Sequence, residues 1–351
     1  MQYRQLRALM EAHPYAEEVY ELVASGRTEE LTDILKPAQL QELKRNASHQ
    51  HMHEMLLQMK KDDIHIMYLE DAIYPENLLD INDPPVFLYW RGDPDCLHQR
   101  LITMVGTRRA SLNALEATTQ IAHRLSDCGV SIVSGMAQGI DQASHKGCLL
   151  GPSPTVAVMA CGLDVNYPAG SAELKKQLLT QGGILLSEYP CGMPAAKWTF
   201  PVRNRILYGL GRAVIMMECH IRSGSMSTVN HATNQGREVL AWPGIARSEM
   251  SEGAHLLLRE GARYFTTAED VLEDMHWESL AVRAQEAKPE KLPALTQVQR
   301  TVYLQLKKGE QSMDEIAAAT GLDASLLSST LTMLALMGVI RALPGKMFRV
   351  E

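Results

Sequence analysis

Four short stretches hold the residue types that bind anions. They are Gly106-Thr107-Arg108-Arg109-Ala110-Ser111, Ser134-Gly135-Met136-Ala137-Gln138-Gly139-Ile140-Asp141, Ala160-Cys161-Gly162 and Ser223-Gly224-Ser225-Met226-Ser227-Thr228. Each is built of small residues, follows an apolar run and precedes a helical pattern. The first turn of a helix leaves backbone N–H groups unpaired and carries partial positive charge. Glycine lets backbone approach an anion, and hydroxyls add donors. A row of such turns makes a phosphate-binding rim, to which Arg108, Arg109, Lys197, Arg203, Arg205 and Arg222 would bring full charges. None of the stretches is a G-x-G-x-x-G fingerprint, and the chain has no G-x-x-x-x-G-K-[ST] P-loop. NAD and ATP are therefore not indicated, and no cofactor is expected.

The surrounding residues extend that reading. From Lys197 to Arg263 there are nine Lys/Arg against five acids, a local balance of +4. That is a candidate basic band for a polyanion, or else a solvated surface with scattered ion pairs. Arg203 and Arg205 fit phosphate contacts, and Pro201 could start a helix that presents Asn204. Phe200 is a base-stacking candidate, with simple core burial the equal alternative. Asp141 and the pair Ser187-Glu188 are expected to brace loops, and His145 to be a structural hydrogen-bonder. No catalytic residue is expected.

The elements that must position these loops are legible as a rhythm. Apolar runs at Leu101–Val105, Val130–Val133, Thr155–Ala160, Ile184–Leu186, Ala213–Met217 and Glu238–Ala241 lack alternation, as strands covered on both faces do. Helix-length segments separate them. This predicts an α/β fold with a doubly wound, extended Rossmann-like parallel sheet, whose ligands bind outside the carboxyl ends of the strands. Residues 1–71 read as a small helical, SAM-like domain, with Thr28 and Thr32 as candidate N-caps. Tyr74-Pro75 and Asp83-Pro84-Pro85 punctuate a connector, and Val86–Trp90 reads as a strand leading into the domain at 72–282. A charged linker with two prolines, 283–293, precedes a domain at 294–351. There Thr296 caps a helix through Leu306, helices follow at Met313–Thr320 and Ala324–Met337, and a hairpin forms around Pro344-Gly345. Three helices and a hairpin make a winged helix. Its presumed recognition helix, Ala324–Met337, contains no Lys or Arg, so a protein partner suits it better than a duplex.

Composition bounds the function. The 351 residues are 46% hydrophobic and 21% charged, with a formal net charge of −7, so any nucleic-acid site must be locally basic. The six cysteines form no C-x-x-C pair. Among the twelve histidines, His51 and His53 stand two apart and would face different sides of a helix. No metal site is expected. Neither a secretory signal nor an apolar run of roughly 18 residues is present, which predicts a soluble cytoplasmic protein with no membrane contact.

The loops, in this order, resemble the bacterial DprA/Smf (DNA-processing protein A) family. The residues that carry the resemblance are Gly106-Thr107-Arg108 with Ser111; Ser134-Gly135, Ala137 and Gly139-Ile140-Asp141 with His145; Gly162-Leu163-Asp164 with Tyr167-Pro168; Ser187-Glu188; Phe200-Pro201, Arg203-Asn204-Arg205-Ile206; Ser223-Gly224-Ser225 with Thr228; and Pro243-Gly244. They cover about Tyr74 to Ala262, roughly half of the chain. Val229 stands where the family usually has Ala, and His255 where it often has Asn. The resemblance implies a homodimeric mediator that binds single-stranded DNA without strong sequence preference. It further implies protection of incoming strands and loading of the RecA recombinase during natural transformation in competent cells, with no catalysis. The implied DNA-binding residues are Gly106, Thr107, Arg108, Arg109, Ser111, Ser134, Gly135, Gly139, Lys197, Phe200, Arg203, Asn204, Arg205, Arg222, Ser223, Gly224 and Ser225. Two alternatives stand beside it. A LOG-like nucleotide-processing enzyme would carry P-G-G-x-G-T-x-x-E, to which Pro243-Gly244-Ile245 is the nearest approach and fails. A winged-helix transcription regulator would need a charged recognition helix.

Overall fold

The computed structural model describes residues 3–13, 15–287, 295–337, 339–343 and 347–350. Runs of apolar residues too short for a helix become strands buried on both faces. Every residue of β4 (Val130–Ser134), β5 (Thr155–Met159), β6 (Ile184–Ser187) and β7 (Ala213–Met216) is buried. So are the last five residues of β3 (Arg100–Val105) and the last three of β8 (Glu238–Ala241). With β1 (His65–Tyr68), β2 (Phe87–Gly92) and β9 (Arg263–Tyr264) they form a nine-stranded sheet in the order β1-β2-β6-β5-β4-β3-β7-β8-β9. Pairing is parallel from β6 through β9, while β1–β2 and β2–β6 are antiparallel.

Helices cover the sheet. They are α5 (Glu76–Leu79), α6 (Leu112–Asp127), α7 (Ile140–Cys148), α8 (Ala172–Thr180), α9 (Thr199–Leu210), α10 (Gly224–Asn234), α11 (Glu252–Arg259), α12 (Ala268–Asp274) and α13 (Glu278–Ala287). They follow α1 (Tyr3–Ala12), α2 (Ala16–Ala24), α3 (Pro37–Asn46) and α4 (His49–Lys61). One face of the sheet packs Leu101, Val105, Val214 and Met216 against Ile206 and Leu207 of α9. The other packs Ile102, Met104 and Ile132 against Ala114, Ile121 and Leu125 of α6.

The chain divides after Ala284 into two compact units. The first holds the early helices as well as the sheet. Leu9, Leu22, Val23, Leu31, Leu35 and Leu40 form a small core of their own. Helix α4, however, places Met55 and Met59 in a cluster with Tyr89, Met159 and Leu174. The segment expected to be helical through residue 71 thus ends in a helix packed on the sheet and a strand, β1, that joins it. Thr28 opens a 3₁₀ turn with Arg27 at its cap position, and Thr32 closes that turn, its hydroxyl donating to Glu29 O at 2.6 Å. Neither is an α-helix N-cap. Ser48 caps α4 instead, accepting from His51 N at 3.1 Å.

Residues 283–287 of the expected linker lie in α13, where Ala, Gln and Glu favour helix; 288–293 lie outside the described residues. In the second unit Thr296 caps α14 (Gln297–Leu306), Ser312 caps α15 (Met313–Thr320) and Asp323 caps α16 (Ala324–Leu336). Strands β11 (Ile340–Leu343) and β12 (Met347–Val350) pair antiparallel, and β10 (Gln311–Ser312) adds to β12. This is the winged-helix arrangement; the Pro344-Gly345 turn lies outside the described residues. Val302, Leu306, Ile316, Leu327, Leu331 and Ile340 fill its own core.

Candidate nucleic-acid interface

The strand order reverses at β3. From it the chain steps outward through β4, β5 and β6, then returns to place β7 on the other side. Loops leaving the carboxyl ends of β3 and β7 therefore diverge and open a crevice, the position where doubly wound sheets bind ligands. Here it is a cleft of about 380 Å³ lined by Val105, Gly106, Thr107, Arg108, Arg109, Ala137, Asp141, Phe200, Arg203, Asn204, Leu207, Ser223, Gly224, Ser225 and Thr228.

The β3–α6 loop is held from both sides. Thr107 N donates to Glu218 O at 2.7 Å, and Ile140 N donates to Thr107 O at 3.3 Å. The buried Glu218 carboxylate accepts from Ser111 N at 2.8 Å and Ser111 Oγ at 3.1 Å, while Ser111 Oγ caps α6 by accepting from Ala114 N. Close approach explains two glycines. A Cβ on Gly106 would meet Ile140 Cγ1 at 2.5 Å, and one on Gly139, which has φ of +81°, would meet Thr107 O at 2.4 Å. Opposite, Ser223 caps α10 through Met226 N at 3.2 Å, and Ser225 Oγ donates to Gly106 O at 2.8 Å. The helix N-terminus and the first loop thus share one wall, and its N–H groups suit an anion.

Helix α9 supplies the floor. Arg203 is only 4% exposed. Its guanidinium donates to Gly135 O at 3.0 Å and to Val158 O, and its Nε donates to Asn204 Oδ1 at 3.2 Å. Arg205 is committed to Glu188 at 2.5 Å and Asp83 at 3.2 Å. Both arginines expected to fit phosphate contacts thus already hold protein partners: Arg203, which lines the cleft, orders the second loop, and Arg205 ties α9 to its neighbours. Arg108 and Arg109 are exposed and, among the described residues, make no ion pair. Arg108 lies over the Phe200 ring, 4.8 Å from its centroid, and Phe200 is half-buried against Tyr167 with centroids 5.7 Å apart. Phe200 is therefore neither a free platform nor a core residue.

The remaining expected residues divide. Ser134 is buried, donating to Met104 O at 2.7 Å, and Gly135 is buried beside Arg203. Ser111 and Gly139 build the loops without lining the cleft. Lys197 and Arg222 are exposed and unpaired among the described residues, outside the cleft lining. The +4 segment is not one band. Besides Arg203 and Arg205, Arg263 pairs with Glu238 and Asp274, and Arg237 donates to Asn77 O and Gly209 O. Glu218 was missed as a brace because in sequence it counts only as an opposing charge. Of the two family departures, Val229 is buried in the core, and His255 Nε2 bonds Pro243 O at 2.6 Å.

Two buried titratable groups lie next to Arg203. Burial raises the Asp141 carboxyl to about 6 against the pull of Arg203, and its Oδ2 accepts from Ala137 N at 3.3 Å. Burial lowers His145 to about 3, with Arg203 adding to the shift. His145 Nδ1 lies 2.7 Å from Thr155 Oγ1, whose proton goes to Ile132 O, so Nδ1 carries the ring hydrogen. Ser187 Oγ donates to Cys161 O at 2.7 Å, bracing its loop as expected. Among the described residues no group of three or more His, Cys, Asp or Glu is placed to hold a metal ion, and no single helix is long and apolar enough to cross a membrane.

Sheet order, loop order and winged helix together invite comparison with known proteins. Residues 65–276 match the family described as DNA recombination-mediator protein A, and 286–346 match the DprA winged helix domain. The chain belongs to the DprA family. It is 37% identical over 223 residues to protein Smf of Escherichia coli, covering 62% of this chain but only 60% of that protein. To DNA processing protein DprA of Streptococcus pneumoniae it is 38% identical over 207 residues, 59% of this chain and 73% of the relative. The X-ray structure of the pneumococcal DprA superposes with a TM-score of 0.63 at 31% identity, over 78% of this chain and 98% of the other. A DprA structure from Helicobacter pylori, described for that protein's single-stranded DNA binding mode, gives 0.55 at 29% identity, over 60% and 96%.

Proposed function

We propose that this DprA-family chain binds single-stranded DNA without sequence preference in the cleft at the β3/β7 switch point, as a recombination mediator rather than an enzyme. The observation that carries the reading is the pair of exposed arginines, Arg108 and Arg109, which make no ion pair among the described residues and lie on a hydrogen-bonded loop beside the N-terminus of α10. Backbone donors and two cations answer phosphates, which carry affinity but no sequence information. The H. pylori relative's binding of single strands supports the same reading. The groups beside the cleft suit binding more than catalysis, since Asp141 braces a loop and His145 is buried and neutral. Family resemblance is what supports the wider role: a cytoplasmic homodimer that protects incoming DNA and loads RecA during natural transformation. In α16 the exposed residues include Leu326, Met333 and Leu336, which favours a protein partner at the winged helix over duplex reading.

Fluorescence anisotropy with labelled oligothymidylate tests the cleft. Arg108→Glu removes a free cation and is expected to weaken binding at least tenfold, about 1.4 kcal/mol, for every base composition. Unaltered affinity in this variant, or equal affinity of the wild type for duplex and single strand, would refute the reading.

A further inference from the structure

The first cleft is not the only cationic hollow on the sheet domain. A separate cavity of about 500 Å³ shares no lining residue with it. Its walls come from Arg91 of β2, from the loop after β5 at Leu163–Asn166, and from Lys175 and Lys176 of α8. Lys175 is only 9% exposed. Its Nζ donates to Val165 O at 3.2 Å, one acceptor for an ammonium that carries three donors. A buried cation that lacks a countercharge is expensive unless something completes its shell. Among the described residues, none of Arg91, Lys175 and Lys176 makes an ion pair. One carboxylate, Asp164, shares the wall, and both its oxygens accept from Gly192 N at 2.9 Å. Three cations against one occupied acid make this hollow a receptor for an anion.

A line of side chains leads from the first cleft to the residue next in sequence to the wall of the second. Arg108 of the first cleft covers Phe200, and Phe200 packs on Tyr167, which follows directly on the loop that walls the second. Cationic pockets separated by aromatic side chains are how proteins follow a single strand, with phosphates in the pockets and bases near the rings.

We propose that the Arg91/Lys175/Lys176 cavity is a second phosphate subsite for the same DNA strand, reached past Tyr167 from the first cleft. This rests on the reading that the first cleft binds single-stranded DNA, and it adds a path and a minimum length to that reading. A strand confined to the first cleft does not feel the second subsite; a longer one does.

The test compares oligothymidylates of about 4 and about 20 nucleotides, bracketing common single-strand site sizes, on the full-length chain. Two variants are used. Arg91→Ala/Lys176→Ala removes the more accessible charges, and Lys175→Met removes the buried one while keeping its apolar stem; thermal melts establish that both fold. The short oligonucleotide should bind both variants as it binds wild type. The long one should lose roughly tenfold, and its log K against log salt slope should fall by about 1.4 in the double variant, two phosphates at ~0.7 each. Unchanged affinity for the long oligonucleotide overturns the subsite. So does an equal loss at both lengths, which would place the effect in the fold or the first cleft. Failure of wild type to bind at either length overturns the function itself, and is told apart by needing no variant.

Discussion

His145 and Asp141 lie in the field of the same buried guanidinium, and burial drives their titrations in opposite directions. His145 is held neutral, at about 3 against an ordinary 6.5. The unfolded chain takes up its proton first, so stability tied to this group is full above pH 6.5 and is lost as pH falls towards 3. Asp141, raised from 3.8 to about 6, binds its proton earlier in the native state. It offsets part of the loss between pH 6 and 4. His145→Gln should therefore flatten the fall of Tm between pH 6.5 and 4.5, and Asp141→Asn should steepen it. Melts across that range decide it, with ~1 kcal/mol read as about 2–4 °C; parallel curves for all three proteins would refute the assignment. The same neighbourhood limits what sequence can reveal about single residues. Arg108, Arg203 and Arg205 are equivalent as letters. Only the fold commits Arg203 to Gly135 O and Val158 O and Arg205 to Glu188 and Asp83, leaving Arg108 available. Charge is local in sequence; its partner is not.

At the scale of elements, legibility followed burial. Strands β3 to β8 are apolar because both faces are covered, and that pattern needs no alignment to see. β1, with one fully buried residue in four, and the two-residue strands β9 and β10 leave too little pattern to detect. Loops after strands were found by small residues and hydroxyls, whereas the Glu218 brace joins residues 107 positions apart and has no local signal. The winged helix was legible from the Thr296 cap, two further helical patterns and a hairpin signal, while the Ser312 and Asp323 caps emerged only with the structure; its charge pattern makes a prediction. Helix α16 has no Lys or Arg, and the two units have separate cores. A chain ending at Ala287 should bind oligothymidylate within about threefold of full length, a difference under ~0.7 kcal/mol. The isolated 295–351 segment should bind neither single strand nor duplex detectably. A large loss on truncation would move DNA binding into the tail.

The whole molecule carries −7, so under the proposed function affinity for a polyanion depends on a few cations left free, with no help from a general field. Around the first cleft, the exposed cations without an ion pair among the described residues are Arg108, Arg109, Lys197 and Arg222. Each phosphate neutralised on a single strand contributes about −0.7 to the slope of log K against log salt. Four contacts give a slope of roughly −3 for an oligonucleotide that fills this cleft and also meets Lys197 and Arg222 outside its lining, well short of what nine band cations acting together would produce. Arg203 and Arg205 do not enter the sum, because counterions released by DNA come from phosphates that meet available charge. Arg108→Ala should make the slope shallower by about 0.7. Arg205→Ala should leave the slope unchanged and lower Tm, because it strips Glu188 and Asp83 of their partner. Titrations between about 50 and 200 mM salt separate the two outcomes. A slope that falls equally in both variants would mean that Arg205 leaves its carboxylates for the strand, and that the cleft rearranges when DNA enters.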